Sequence, residues 1–370
     1  MSAKVLAFVE DPGAANGVLG LDAELTARGA RLVVVAIDRA AESLADRVTF
    51  EGATPGEGAE ALLARHAPDA LLVGTSENPE TLGLALVDAA RARGVPSAGF
   101  VDAFPNAAYR FRGATDDPLA HCPDVVLVPD AWTRDAFVAL GLAADHAVVT
   151  GHPMYDAVLA KKAALDALGV ACIRTRLFPD APPGARVVTF CAEISTGFDA
   201  AQFRRSDAYT LHGRGGRDGR TEIVLEELLD AARAAQAGGA PLYLVLRMHP
   251  KNTREELGAL LDEVDLVSAG GDPHEVVYAS DLACGMTTTL LVEASLLGKP
   301  TLAIVPRALE AEWLPTIRAG VTPCVSTRDA LARELSRLVA GEVAAAAPFA
   351  EPGAAGRLAD ALVSLTRRKR

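Results

Sequence analysis

Two successive sets of short apolar runs constrain the fold of this chain more than any other feature. Each run is stopped by Gly, Pro or Asp, and a helix-patterned stretch separates it from the next. The first set comprises residues 5–9, 31–36, 70–73, 97–101, 125–128 and 147–150. Between these runs lie residues 18–28, 57–65, 80–93 and 133–140, with apolar residues at helical spacing. Strands buried on both faces read as continuous apolar runs rather than alternating ones. Their alternation with helices requires right-handed crossovers and a parallel sheet covered on both sides. A second set follows, at residues 186–191, 242–247, 264–268, 282–284, 301–305 and 323–325.

Between the two sets the pattern breaks. Residues 155–177 are helical in pattern and lead into the turn cluster Pro179, Asp180, Ala181, Pro182, Pro183 and Gly184. The predicted organisation is therefore α/β, with two Rossmann-like domains. These are an N-terminal domain over 1–155, a linker over 156–184, a C-terminal domain over 185–345 and a C-terminal helix over 346–370. The segment from Arg204 to Arg220 fits neither half. Its glycines disfavour a helix, and its dense arginines leave two readings open, a surface loop or a flexible cover over an anionic ligand.

Composition removes several classes of function. With 370 residues the length suits two domains, and half the residues are hydrophobic, enough for sizeable cores. A net charge of −12 argues against nucleic acid as the main partner, because a phosphate backbone demands a concentrated basic face. The apolar run from Val5 ends at Glu10 and Asp11, too short for a signal-peptide core or a membrane span. The cysteines, Cys122, Cys172, Cys191, Cys284 and Cys324, are dispersed and form no C-x-x-C pair. They read as reduced thiols of a cytoplasmic protein and not as a zinc site. The basic run Arg367 to Arg370 suits a solvated helix end.

The richest chemistry lies between Leu242 and Pro306. One run ends in Arg247-Met248-His249-Pro250-Lys251, which puts Arg247, His249 and Lys251 at the carboxyl end of a parallel strand. Three cations there can hold phosphate oxygens; an ordinary polar strand exit is the plainer alternative. Downstream, Gly285 and Met286 lead into Thr287, Thr288 and Thr289 and an apolar helix. A glycine turn, hydroxyls and the free N–H groups of a helix start make an anion site, although the threonines also serve as simple caps. Glu293 lies four residues beyond Thr289, on the same helix face. A carboxylate there can take the two hydroxyls of a ribose while the helix start holds a diphosphate.

The stretch from Arg247 to Pro306 resembles the donor-binding half of GT-B glycosyltransferases and of their relatives, the non-hydrolysing sugar-nucleotide 2-epimerases. His249-Pro250 also resembles the HP motif of bacterial sialyl- and polysialyltransferases, with Thr287-Thr288-Thr289 in the place of their Ser/Thr motif. The resemblance implies two Rossmann-like domains facing each other across a cleft. It implies phosphate contacts for His249, Thr287, Thr288 and Thr289, and a ribose contact for Glu293. The chain departs from the epimerases by lacking their Ser-Gly-Gly and their paired acidic residues, having Met286-Thr287-Thr288-Thr289 and a single Glu293 instead.

The same resemblance places the acceptor and the base in the N-terminal half. The first run enters Glu10-Asp11-Pro12-Gly13-Ala14-Ala15-Asn16-Gly17, where Glu10 or Asp11 can serve as base and Asn16 can meet the acceptor; a capped turn is the alternative. Two further exits carry Ser76 and Glu77, and Asp102 followed by Asn106. Asp102 ends a buried run and is a candidate base, with an aspartate that satisfies loop amides as the plainer reading. His152 stands in Gly151-His152-Pro153 at the joint, where GT-B chains often carry a G-x-P segment. In the second domain Glu193 and Ser195 follow the first strand, in a stretch whose backbone amides can meet the donor diphosphate.

There is no H-E-x-x-H, G-x-S-x-G or P-loop, and Asp116-Asp117 lacks the D-x-D form of metal-dependent glycosyltransferases. The reading is a metal-independent glycosyltransferase with no cofactor. Its co-substrate is a nucleotide sugar, an NDP-sugar ahead of a CMP-sugar, and its acceptor a small molecule or glycan. A nucleotide-sugar 2-epimerase or hydrolase, and a non-catalytic sugar-nucleotide-binding protein, are the alternatives. A homo-oligomer is compatible with each.

Overall fold

The computed structural model describes residues 2–54, 56–76, 78–102, 106–194, 203–346 and 349–368. Each of the twelve apolar runs contains a strand. The chain divides into two compact units, Met1–Ala157 with Ala350–Arg370, and Val158–Phe349. Much of the stretch expected as a linker is helical, in Pro153–Leu168 and Val170–Leu177. The C-terminal helix, Ala354–Arg368, belongs to the first unit.

The first unit holds β1 (Ala3–Val9), β2 (Ala30–Ala36), β3 (Ala70–Gly74), β4 (Ser97–Phe100), β5 (Val125–Val128) and β6 (Ala147–Val149). Their order is β2-β1-β3-β4-β5-β6, with every pair parallel. β1 shows why the sequence carries no alternation. Val5, Ala7 and Val9 pack in one core with Leu358, Leu362 and Leu365 of the C-terminal helix. Leu6 and Phe8 pack in another, with Leu62 and Leu63 of the Ala59–His66 helix and Leu86 and Val87 of the Leu82–Ala92 helix. Both faces are covered, so both sets of side chains are apolar. The start of the C-terminal helix is held by Asp156, whose carboxylate accepts from the N–H groups of Gly353 (2.7 Å) and Ala355 (2.9 Å).

The second unit holds β7 (Arg186–Cys191), β8 (Leu242–Arg247), β9 (Leu266–Ser268), β10 (Leu282–Gly285), β11 (Thr301–Ile304) and β12 (Cys324–Val325). Their order is β12-β11-β10-β7-β8-β9, again all parallel. The Arg220–Ala237 and Arg328–Val339 helices close one core of this sheet through Leu225, Leu228, Leu331 and Leu335.

Each sheet has one place where the winding reverses: β1 lies between β2 and β3, and β7 lies between β8 and β10. Open α/β sheets bind ligands outside the carboxyl ends of the strands at such a reversal. The topology thus singles out the exits of β1 and β3 in one unit, and of β7 and β10 in the other.

The segment from Arg204 to Arg220 does not form a loose cover. The N–H groups of His212 and Gly213 donate to Glu227 (3.1 and 2.7 Å), and that of Arg214 donates to Glu226 (2.7 Å). The Arg214 side chain pairs with Asp230 (2.7 Å) and Glu263 (2.9 Å). Gly213 has φ +59, and a Cβ there would lie 2.3 Å from Glu226 Oε2. Arg214, Arg217 and Arg220 are paired with carboxylates of the protein itself, and Arg205 donates to the carbonyls of His212 and Arg217. The five cysteines are unpaired. Among the described residues, no helix is long and apolar enough to cross a membrane, and no cluster of His, Cys, Asp and Glu could hold a metal ion.

Candidate functional site

In the second unit the exits of β7 and β10 meet. Gly285 ends β10 so close to β7 that a Cβ would lie 3.0 Å from the Cys191 carbonyl oxygen. This proximity brings Glu193 against the start of the Thr289–Leu296 helix. The Thr287 N–H donates to Glu193 Oε1 (2.6 Å), and the Thr287 hydroxyl lies 3.3 Å from Glu193 Oε2. Thr288 is the N-cap, its hydroxyl accepting from Leu290 N–H (3.3 Å), and Thr289 is the exposed first residue of the helix. Met286 is fully buried in the core, so its side chain has no place in a site.

Arg220, at the start of its own helix, reaches the same point and is 1% exposed. Its Nη1 donates to Glu193 Oε2 (2.8 Å), its Nη2 to Thr287 Oγ1 (3.1 Å) and its Nε to Glu310 Oε2 (2.7 Å). Arg307 donates to the other oxygen of Glu310 (2.5 Å). Trp313 lies against both guanidinium groups, at 5.7 Å from Arg220 and 5.6 Å from Arg307. Burial lowers the Arg220 pKa, but Glu193 and Glu310 outweigh it, and the group stays charged. Sequence reasoning missed Glu310, Arg307 and Trp313. Their position just beyond β11 was the one available signal.

The exit of β8 differs from the expectation of three converging cations. Arg247 donates to Ser268 Oγ (3.1 Å) and to the carbonyls of Gly270 and Gly271 (the latter 3.1 Å), so its guanidinium fastens the exit of β9. The His249 pKa is lowered, first by burial and then by Lys251, which makes the ring a neutral donor at physiological pH. Its Nδ1 accepts from Lys251 N–H (3.1 Å), leaving Nε2 to carry the proton. Asn252 ties this exit to β7, accepting from His249 N–H (2.9 Å) and donating to the Glu193 carbonyl (3.1 Å). Lys251 is exposed. Glu293, one turn into the helix, pairs through Oε2 with His274 Nε2 (3.0 Å), a partner the sequence reading did not identify.

In the first unit, Asp102 at the exit of β4 forms a charge pair with buried Arg110 (3.1 Å). A Cβ on Gly13 would lie 2.0 Å from Asp102 Oδ2, so this glycine lets the turn after β1 close onto the carboxylate. His152 is buried within electrostatic reach of Asp102, stacked on Tyr155 (5.1 Å) and edge-on to Phe100 (5.3 Å). Burial pushes its pKa down to about 4, and Nδ1 accepts from Met154 N–H (3.2 Å).

Glu10, at the exit of β1, turns instead toward the start of the Leu82–Ala92 helix. Burial, opposed by Thr81 and reinforced by Asp38 and Asp11, raises its pKa to about 7. Its Oε1 is buried and has no hydrogen-bond partner among the described residues. Asp11 is an exposed N-cap, accepting from Gly13 N–H (3.4 Å). Asn16 is half-buried and caps the same turn. Ser76 accepts from Asn78 N–H (3.2 Å), and Asn106 is exposed with φ 64. Glu77 and Ser195 lie outside the described residues.

No family model matches the chain, and no curated protein matches it in sequence. Solved structures do match it in three dimensions. A UDP-GlcNAc 2-epimerase from Neisseria meningitidis bound to UDP-GlcNAc superposes with a TM-score of 0.66 at 15% identity, over 98% of this chain and all (100%) of that one. The UDP-GlcNAc 2-epimerase of Methanocaldococcus jannaschii gives 0.66 at 12% identity, over 98% and 99% of the two chains. The glycotransferase of kitacinnamycin gives 0.51 at 14% identity, over 100% and 96%. Likeness at such identities establishes architecture, and the architecture is that of the GT-B fold, two Rossmann-like α/β domains in a single chain.

Proposed function

We propose that this protein is an enzyme acting on a nucleotide-diphosphate sugar, and that it converts the sugar nucleotide itself, as a 2-epimerase does. The nucleotide would lie at the exits of β7, β8 and β10. The helix start at Thr287–Thr289 and the His249 Nε2–H face its diphosphate, and Glu293, aligned by His274, takes the ribose hydroxyls. The first unit carries acid–base candidates of its own. A carboxyl group with a pKa of about 7, Glu10, can either give or take a proton near neutral pH, as a step that removes and returns a sugar proton requires. Asp102, fixed by Arg110, is the second candidate base. The observation that carries this reading is Glu293 on the inner face of an anion-suited helix start, held ready by a histidine.

The sequence alone put glycosyl transfer first. Likeness over the full length of both chains to proteins described as UDP-GlcNAc 2-epimerases favours conversion of the donor without an acceptor. Transfer remains the second reading, supported by the likeness to the kitacinnamycin glycotransferase. The deciding experiment incubates the protein with UDP-GlcNAc alone and follows the sugar by NMR. Appearance of a second UDP-sugar supports epimerisation, and release of UDP with free sugar supports hydrolysis. Unchanged UDP-GlcNAc that nonetheless binds returns transfer to first place. No binding of any nucleotide sugar refutes all three.

A further inference from the structure

We propose that Glu193 is an internal anion that occupies the diphosphate subsite of the second unit, and that a ligand's phosphate must displace it to reach Arg220. This rests on the nucleotide-sugar reading and deepens it. The Glu193 carboxylate collects the Thr287 N–H (2.6 Å), the Thr287 hydroxyl (3.3 Å) and Arg220 Nη1 (2.8 Å). A backbone amide at a helix start, a hydroxyl and a guanidinium are the donor set that phosphate oxygens take.

The two carboxylates on Arg220 are not equivalent. Glu310 is completely buried and receives both Arg220 and Arg307, the two guanidinium groups that lie over Trp313. Its departure would break two buried ion pairs at once. Glu193 is the more exposed of the pair, with a side chain 15% accessible against 0% for Glu310. It is attached to a strand exit and not to a helix. Turning it outward costs one ion pair and the hydrogen bonds from Thr287, and frees the Thr287 N–H, the Thr287 hydroxyl and Arg220 Nη1 together for a phosphate. Arg220 is thereby a diphosphate-binding residue held in reserve, and Glu193 sets the affinity by competition. A carboxylate in that place also keeps adventitious anions of low charge out, because a monoanion gains little by replacing a monoanion. A diphosphate brings more charge to the same donors.

The test compares the whole protein with Glu193→Gln and Arg220→Lys, by calorimetric titration with UDP and separately with inorganic pyrophosphate. The amide of Glu193→Gln still accepts from the Thr287 N–H but carries no charge to compete. Pyrophosphate affinity should rise at least fivefold in Glu193→Gln and fall at least tenfold in Arg220→Lys. Added pyrophosphate should also raise the Tm of Glu193→Gln more than that of the parent, by mass action on the folded form. Equal or weaker pyrophosphate binding by folded Glu193→Gln overturns the proposal and makes Glu193 a fixed structural ligand. If Arg220→Lys fails to fold, the Glu193→Gln titration decides alone. A rise for pyrophosphate with no binding of UDP by either form upholds the displaced carboxylate and refutes the nucleotide reading. UDP binding that is unchanged, together with unchanged pyrophosphate binding, does the reverse.

Discussion

Glu10→Gln gives a test in which stability and activity must change at the same pH. In the folded chain burial carries the Glu10 carboxyl from 4.5 to about 7. A raised carboxyl pKa means that the folded state binds a proton the unfolded state has released. The favourable contribution is complete below pH 4.5 and is lost as pH rises through about 7. A pKa difference of that size corresponds to about 3 kcal/mol. The group is only partly buried, and solvent screening reduces this to about 2 kcal/mol. Glutamine mimics the protonated form at every pH. Urea unfolding of parent and variant at intervals between pH 4 and pH 9 should therefore give similar stabilities at the acid end. The variant should gain about 2 kcal/mol over the parent by the alkaline end, with the midpoint between. The same substitution should lower kcat by roughly 10²–10⁴-fold and remove a limb near neutrality from the pH–rate profile. A stability difference that stays flat across that range would show that the carboxyl titrates as an exposed one does, and the acid–base role would fall with it.

Five further outcomes follow from the site and the cores. Glu293→Ala should weaken UDP binding by roughly 10–100-fold, the worth of hydrogen bonds to a charged acceptor, with little change in Tm; calorimetric titration reads this directly. His274→Ala should weaken it less, by about tenfold, because the ribose contact survives but loses its alignment. Gly13→Ala, whose Cβ would lie 2.0 Å from Asp102 Oδ2, should displace that carboxylate from Arg110 and cut turnover by at least about a hundredfold if Asp102 is a base, while circular dichroism stays native. Leu362→Ala, at a fully buried position, should cost about 2–5 kcal/mol in urea unfolding of the first unit. His152, fully buried with its pKa depressed from 6.5 to about 4, contributes stability that is present above pH 6.5 and lost as pH falls through about 4. His152→Gln should flatten that acid loss of about 3 kcal/mol.

How far each part was legible follows from what kind of information its residues carry. The central strands could be read because a strand covered on both faces must be apolar at every position, as β1 is from Val5 to Val9. Strand exits could be read for the same reason, since the run stops there. The candidates Glu10, Asp102, Glu193, His249 and Thr287 were all found by that signal. What a charged side chain does at an exit was not legible, because it depends on partners far away in sequence. Arg247 reads as a phosphate cation until its N–H groups are found donating to the carbonyls of Gly270 and Gly271. In the segment 204–220, Arg214 and Arg217 read as part of an anion cover until the carboxylates of the Arg220–Ala237 helix account for them. Arg220 lies at the end of that same unpromising segment, and only the fold brings it to Thr287. These cases share a cause. In a protein with a net charge of −12 most arginines have carboxylates of the chain itself within reach, so arginine density along the sequence is a poor guide to anion binding. The better guide is a cation whose partner can leave, and by that criterion the Arg220–Glu193 pair, more exposed on one side than on the other, is the place where this acidic protein would admit a more acidic ligand.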